Sequence, residues 1–382
     1  MMGDPVDEAI AAAQSQAFAA KKAAPNVVPL RGIASIPSGP VCEPLANFLD
    51  AGDAPVWVIQ EIIQQSYVYA LTAPTNHGKT AVSMVIALAV ASGQAFVGRK
   101  VRPGRVLILC GENQDGFRLR LIATLRQMEI DVADLAGRVW VLSHTTGLAY
   151  ILEQIKKDAE TMGELSLVLV DTSVSFFTGD NENDNQQAYA HARDLRELSL
   201  LPGKPAVIVN CHPSSSAGKD MTRESCVPRG GSAFLNEIDT NLFVWSDGQT
   251  AEMHWIRKKR GPDFAPILWE FRESSVEWHG ESVPAVVAVP ITEEREKQIR
   301  DKKMEAECRF MYAMLRTPRG TIREWCLDAG FVLRTGANAG GPHVSFGHRV
   351  LERLKEYKLA ERTRREGWVL TEQGKGEARA IE

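Results

Sequence analysis

From about Pro44 to residue 240, short apolar runs alternate with longer stretches of helical pattern. The runs Tyr67–Thr72, Arg105–Cys110, Val139–Leu142, Leu167–Asp171 and Ala206–Asn210 are almost continuously apolar and rich in β-branched residues. That is the pattern of strands covered on both faces. The stretches Lys79–Ser92, Gly116–Met128, Ala149–Thr161 and Asn185–Leu198 between them read as helices. Strands alternating with helices predict an α/β fold with a mainly parallel central sheet. Beyond residue 240 the helices drop out. Asn241–Trp245, Glu252–Arg257 and Ile267–Arg272 then predict antiparallel strands added to the sheet edge.

Pro284 and Pro290 mark the next stretch as a linker, 284–292. Glu293–Leu315 reads as a long charged helix. Thr321–Ala329 and His343–Tyr357 follow as helices, the second with apolar positions at Val344, Val350, Leu351 and Leu354. Leu359–Leu370 reads as two short strands around Arg364-Arg365-Glu366-Gly367. Helix, helix, hairpin is the outline of a small α+β winged-helix domain. Residues 1–43, rich in Ala, Pro, Lys and Ser, read as a flexible arm. The expected organisation is therefore an arm at 1–43, an α/β core at 44–283, a linker at 284–292, and a helical stalk with winged helix at 293–382. No internal repeat of fixed period is visible.

Composition adds little until it is divided. The 382 residues hold 44 Lys+Arg against 48 Asp+Glu, a net charge of −4. That balance argues against coating nucleic acid by bulk charge. Residues 293–382, however, carry 19 Lys+Arg against 15 Asp+Glu, leaving 25 against 33 for the rest. Residues 1–292, at −8, are thus joined to a basic segment of +4. Arg349, Arg353, Arg362, Arg364 and Arg365 crowd the expected recognition helix and wing, where such residues contact DNA phosphates. No apolar run reaches 18 residues, and the start has no secretory pattern. None of the six cysteines forms a C-x-x-C pair. A cytoplasmic location is the resulting expectation.

The chemistry is carried by strand ends. Ala73-Pro74-Thr75-Asn76-His77-Gly78-Lys79-Thr80 follows a strand and opens a helix, the setting that a phosphate-binding loop requires. Its backbone N–H groups and the helix N-terminus would wrap the phosphates of ATP. Lys79 would meet the β- and γ-phosphates, and Thr80 would bind Mg²⁺. Ala73 stands where the motif has Gly. Glu112, just past the second strand and expected to lie beside the phosphate-loop strand, can polarise a water. Asp171 ends an apolar run and can hold Mg²⁺. His212, after Val209-Asn210-Cys211, can sense the γ-phosphate.

These four strand ends, taken in order, resemble the RecA-like ATPase core. The chain is most similar to the RepA-type hexameric replicative helicases of plasmids and phages. Arg118-Leu-Arg120-Leu follows Glu112, Phe176-Phe177-x-Gly-Asp180-x-Glu182-Asn183 follows Asp171, and Arg229-Gly-Gly-Ser232 follows His212. The resemblance covers about residues 44–280. It implies a DNA motor in a hexameric ring, with Glu112 as catalytic base and Arg229 as an arginine finger acting on the neighbouring subunit. Lys258 and Arg260, in Ile256-Arg257-Lys258-Lys259-Arg260-Gly261, are similar to a basic segment that faces the adjacent nucleotide in related motors. In such rings the loops after the third and fourth core strands, here Thr172–Asn185 and Ser214–Pro228, point into the channel. Lys219 and Arg223 make the second loop the better contact for single-stranded DNA. Two other readings stay open: a RecA-like ATPase that does not unwind, and a DNA-binding regulator with a degenerate nucleotide site.

Overall fold

The computed structural model describes residues 42, 44–50, 54–143, 145–214, 222–248, 250–333, 338–363 and 367–379. Two compact units divide the chain after Ala54. The expected arm falls almost entirely outside the described residues. In the first unit, these include the short helix α1 (Leu45–Asp50).

The second unit opens with a small antiparallel pair, β1 (Trp57–Ile59) and β2 (Ile63–Gln64), which the sequence pattern did not suggest. Strand β3 (Val68–Thr72) leads through the phosphate loop into α2 (Lys79–Ser92). Then come β4 (Arg105–Cys110), α3 (Gln114–Gln127), β5 (Val139–Leu142), α4 (Leu148–Met162) and β6 (Leu165–Asp171). After them are α5 (Asn185–Leu198), β7 (Ala206–Cys211), α6 (Gly231–Glu237) and β8 (Thr240–Ser246). Three antiparallel strands complete the sheet: β9 (Thr250–Trp255), β10 (Ile267–Trp278) and β11 (Glu281–Pro290). The order among the described residues is β11-β10-β9-β8-β3-β7-β6-β4-β5. Strands β8, β3, β7, β6, β4 and β5 run parallel, and β9 to β11 form the antiparallel edge. The fold is the expected α/β class, with a mostly parallel sheet and antiparallel edge strands.

Alternation along each strand divides the core. Tyr69, Leu71, Ile108, Leu169 and Ile208 face one side, against α2. Val68, Ala70, Leu109, Val170 and Val209 face the other, against α4 and α5. Helix α2 is buried from Lys79 to Ala91. A helix apolar all round has no solvent face to offer, so it must be enclosed.

Three expectations need correcting. First, β4 is not beside the phosphate-loop strand; β7 and β6 stand between them. Second, 284–290 is not a linker but most of β11, with Pro284 opposite Ser275 and Pro290 opposite Trp269. Because β11 is an outermost strand, proline can replace residues whose N–H would face away from the ladder. The far half of the β10–β11 hairpin packs Val276, Ala285 and Val287 on Ala123 of α3. Third, one helix was missed at the C-terminal end. The elements there are α7 (Glu293–Arg316), α8 (Ile322–Asp328), α9 (Val344–Glu356), the hairpin β12 (Ala360–Thr363) and β13 (Gly367–Leu370), and α10 (Glu372–Arg379). Gly374 and Gly376 lower the helical propensity of α10. Gly374 is needed because a Cβ there would strike the carbonyl of Leu359. A separate core of Phe310, Met314, Trp325, Val350, Leu354 and Trp368 binds these elements together. No described helix is long and apolar enough to cross a membrane.

Candidate nucleotide site

The site forms at the C-terminal ends of β3, β4, β6 and β7, where the parallel strands release their loops. Two residues bend the phosphate loop through left-handed backbone: Asn76 at φ 66° and Gly78 at φ 86°. Gly78 also caps α2, and a Cβ there would collide with the Phe271 ring of β10. The loop is held from the same side at His77. Its Nδ1 accepts the backbone N–H of Ser246 at 2.9 Å, and its ring meets the edge of Trp245. Burial lowers the His77 imidazole below its ordinary value. Ala73, in place of the first glycine, is fully buried, and its N–H bonds the carbonyl of Cys211 at 3.2 Å. It does not have a left-handed backbone, so a Cβ is tolerated.

Lys79 is only 8% exposed and makes no hydrogen bond or ion pair to any described residue. An ammonium on a largely covered side chain with no hydrogen-bonded carboxylate is left able to meet an anion. Next to it, Thr80 Oγ1 donates to Asp171 Oδ1 at 3.2 Å, and Asn210 Nδ2 donates to the same oxygen at 2.8 Å. Burial raises the Asp171 carboxyl above its ordinary value, opposed by the Asn210 bond. Glu112 adds to the rise, and Lys79 pulls it down. Glu112 itself is exposed, with Oε1 accepting from Thr172 Oγ1 at 3.0 Å. The site thus holds a hydroxyl, a buried carboxylate, an exposed carboxylate and an unpaired ammonium. Hard oxygen donors beside an anion cradle fit Mg²⁺ and a nucleoside triphosphate.

His212 is half-buried beyond the end of β7. Burial, with the Lys79 charge, lowers its imidazole below the ordinary value. Its carbonyl accepts the N–H of Arg229 at 2.9 Å. The Arg229 guanidinium is not free: Nη1 bonds Glu182 Oε2 of the same chain at 2.9 Å, while Nε is buried without a partner. Thus Arg229 lies beside its own chain's His212.

The acidic loop after β6 also has internal duties. Asp180 accepts from Gln187, Asp184 caps α5 through the N–H groups of Gln186 and Gln187, and Glu182 takes Arg229.

Lys258 and Arg260, expected to face the adjacent subunit's nucleotide, lie away from this chain's own phosphate site. They lie near the N-terminal ends of β8 and β3, the opposite end of the sheet. Lys258 Nζ bonds the carbonyls of Leu235 and Asn236, and Arg260 bonds Asp239 at 3.0 Å. The buried Asp239 carboxylate also accepts the N–H of Val68.

Of the expected DNA-contacting residues, Lys219, Arg364 and Arg365 lie outside the described residues. Arg223 pairs with Glu252 at 2.8 Å. Arg353 is half-buried and bonds the buried Glu307 at 2.6 Å, so it braces α9 against α7 instead of offering a free cation. Arg349, over the Phe346 ring, and Arg362 are exposed.

Four residues around the site escaped the sequence reading: Thr172, Asn210, Trp245 and Phe271. Asn210 alone left a signal, as a polar residue inside an otherwise apolar strand.

Residues 43–218 match the family model AAA_25, described as an AAA domain. The match includes the phosphate loop, Glu112, Asp171 and His212 and ends before Arg229. No curated protein matches the chain. Solved structures similar to this chain include an ATPase domain at 14% identity and TM-score 0.43, covering 62% of this chain and 94% of that one. Another is a DnaB-like replicative helicase, reported with its interactions with primase, at 14% identity and TM-score 0.46. There the coverage is 62% of this chain and 66% of that one. The chain carries a P-loop ATPase domain.

Proposed function

We propose that the chain is an ATP-hydrolysing DNA motor that works as a hexameric ring, a replicative helicase of plasmid or phage type acting in the cytoplasm. The observation that carries the ATPase part is the buried, unpaired Lys79 beside the Thr80–Asp171 contact. The DNA and ring parts rest on the resemblance to RepA-type helicases.

In this reading the loop 73–78 and the N-terminus of α2 wrap the phosphates of ATP, and Lys79 neutralises the β- and γ-oxygens. Thr80 and Asp171 hold Mg²⁺, which supplies further charge neutralisation when bound. Glu112, set by Thr172, accepts a proton from the attacking water. His212 reports the γ-phosphate to the loop after β7, where Lys219 and Arg223 contact single-stranded DNA. Arg349, Arg362, Arg364 and Arg365 serve a winged helix that meets DNA phosphates.

The finger that completes the neighbouring site is Arg229 by resemblance. Arg260 is the second candidate by the same resemblance; it too is ion-paired, with Asp239, but its side chain is more exposed, 59% against 37%.

A fork-unwinding assay on wild type and Lys79→Ala, with native mass measured in the same buffer, tests the motor. ATP-dependent strand displacement by a six-subunit particle supports it. Normal DNA-stimulated hydrolysis without displacement would instead make the chain a switch or loader. Sequence-specific duplex binding without ATP would make it a regulator.

A further inference from the structure

A concavity also lies well away from the phosphate loop. A cavity of about 440 Å³ opens at the N-terminal ends of β4 and β6, at the other end of the sheet. Arg105 and Leu165, the first residues of those strands, both line it. With about 3.3 Å per residue, β4 separates this mouth from the nucleotide site by about 17 Å.

Its lining is rich in donors. Arg102, Arg105 and Arg138 are among its lining residues, and Glu164 is the one acidic residue there. None of the three arginines forms an ion pair with a described residue, whereas Arg196, Arg223, Arg229 and Arg260 elsewhere in the sheet domain do. Arg102 bonds the Gln65 side chain at 3.3 Å. Arg138 bonds the carbonyl of Ala91 at 3.2 Å, in the last turn of α2, and Arg105 lies against Gly163 at the end of α4. Helix C-termini therefore explain part of this charge. They use one of the five N–H donors of Arg138 and no hydrogen bond of Arg105. The Ser166 hydroxyl, also in the lining, has no partner among the described residues.

Three like charges around one concave surface repel one another unless an anion lies between them. Guanidinium forks match phosphate oxygens in pairs. The volume falls in the range of small-molecule sites, about 300–1,000 Å³. We infer that this cavity is a second anion site, distinct from the phosphate loop, for a phosphate-bearing small molecule of nucleotide size held by Arg102, Arg105 and Arg138. The lone Glu164 sits where it can accept from a sugar hydroxyl or base amino group, which gives such a ligand one orientation.

The site is independent of the ATPase reading, and its test is built to keep the two apart. Pyrophosphate is titrated calorimetrically into the full chain carrying Lys79→Ala, which disables the phosphate loop. One saturable event is expected, weakened about tenfold or more by Arg105→Ala, a loss of about 1.4 kcal/mol or more. Arg102→Gln should weaken it in the same direction. Both side chains are exposed, so the melting temperature should hold within about 2 °C. In the Lys79 wild-type background neither change should alter the KM for ATP. Absence of any binding at millimolar pyrophosphate, or binding unchanged by both substitutions, would overturn the inference.

Discussion

Asn210 donates from Nδ2 to the Asp171 carboxylate at 2.8 Å and to the Ser83 hydroxyl at 2.9 Å. The amide thereby ties β7 to β6 and to α2 at the carboxylate proposed to hold Mg²⁺. Asn210 Oδ1 is buried without a partner, so the residue is held by its donors alone. Partners of this kind around a metal carboxylate are typically worth about 10–100-fold in metal affinity. Asn210→Ala should therefore raise the Mg²⁺ concentration for half-maximal ATP turnover by about tenfold. A Mg²⁺ titration of turnover checks this; an unchanged midpoint would leave Asn210 a packing residue.

His191 provides a pH dependence of stability. It lies on α5, almost fully buried between Phe177 and Phe234, with Nε2 3.0 Å from the Ser173 hydroxyl and Nδ1 unpartnered. Burial pulls its imidazole from 6.5 down to about 4. The unfolded chain therefore takes up a proton before the folded one does. Stability from this group is fully present above pH 6.5 and is lost as the pH falls toward 4. The loss is on the order of 3 kcal/mol across that window. Urea unfolding at pH 7 and at pH 4.5 should show the drop, and His191→Gln should flatten the contribution.

The ring of Phe271 covers Gly78, while Glu270 beside it pairs with Arg295 of α7 at 2.9 Å. The phosphate loop is thus braced from the antiparallel edge. Phe271→Ala should loosen the loop before ATP binds and leave the bound geometry nearly intact. KM for ATP should rise about three- to tenfold with kcat changed less than about twofold. Phe271→Leu should recover most of the loss. A fall in kcat with KM unchanged would mean that the ring acts on the chemical step.

Mixing experiments separate the two finger candidates. A subunit carrying Lys79→Ala keeps its finger, and one carrying a finger substitution keeps its phosphate loop. If the finger acts across subunits, co-assembled rings recover turnover at interfaces that combine the two intact halves. Recovery is expected with Arg260→Ala. With Arg229→Ala it is expected if the Glu182 pair opens in the ring, whereas no recovery would mean that Arg229 serves its own site. An arginine finger typically contributes about 10³–10⁵ in rate, so the recovered signal should be plain.

The succession of strands and helices along the chain was legible because the parallel strands are mostly apolar, and several end beside polar residues. Lys79, Thr80, Asp171 and Glu112 converge through such strand ends, and the sheet brings them together. Contacts made by residues distant in sequence were not legible. Phe271 follows Gly78 by nearly two hundred residues, and no local pattern aims its ring at the loop. Charge was misleading for a related reason. Arg353 looks like a DNA contact in a basic stretch, but Glu307 on another helix takes it. Pro284 and Pro290 were read as a break because the sequence does not reveal that their strand is outermost.

The most direct measurement is steady-state ATP hydrolysis by wild type and Lys79→Ala, each with and without single-stranded DNA and Mg²⁺. Wild type should hydrolyse ATP only with Mg²⁺ and faster with DNA, and Lys79→Ala should lose about a hundredfold or more while melting at the same temperature. Equal hydrolysis by the two proteins, or none by either, would contradict a phosphate-loop motor.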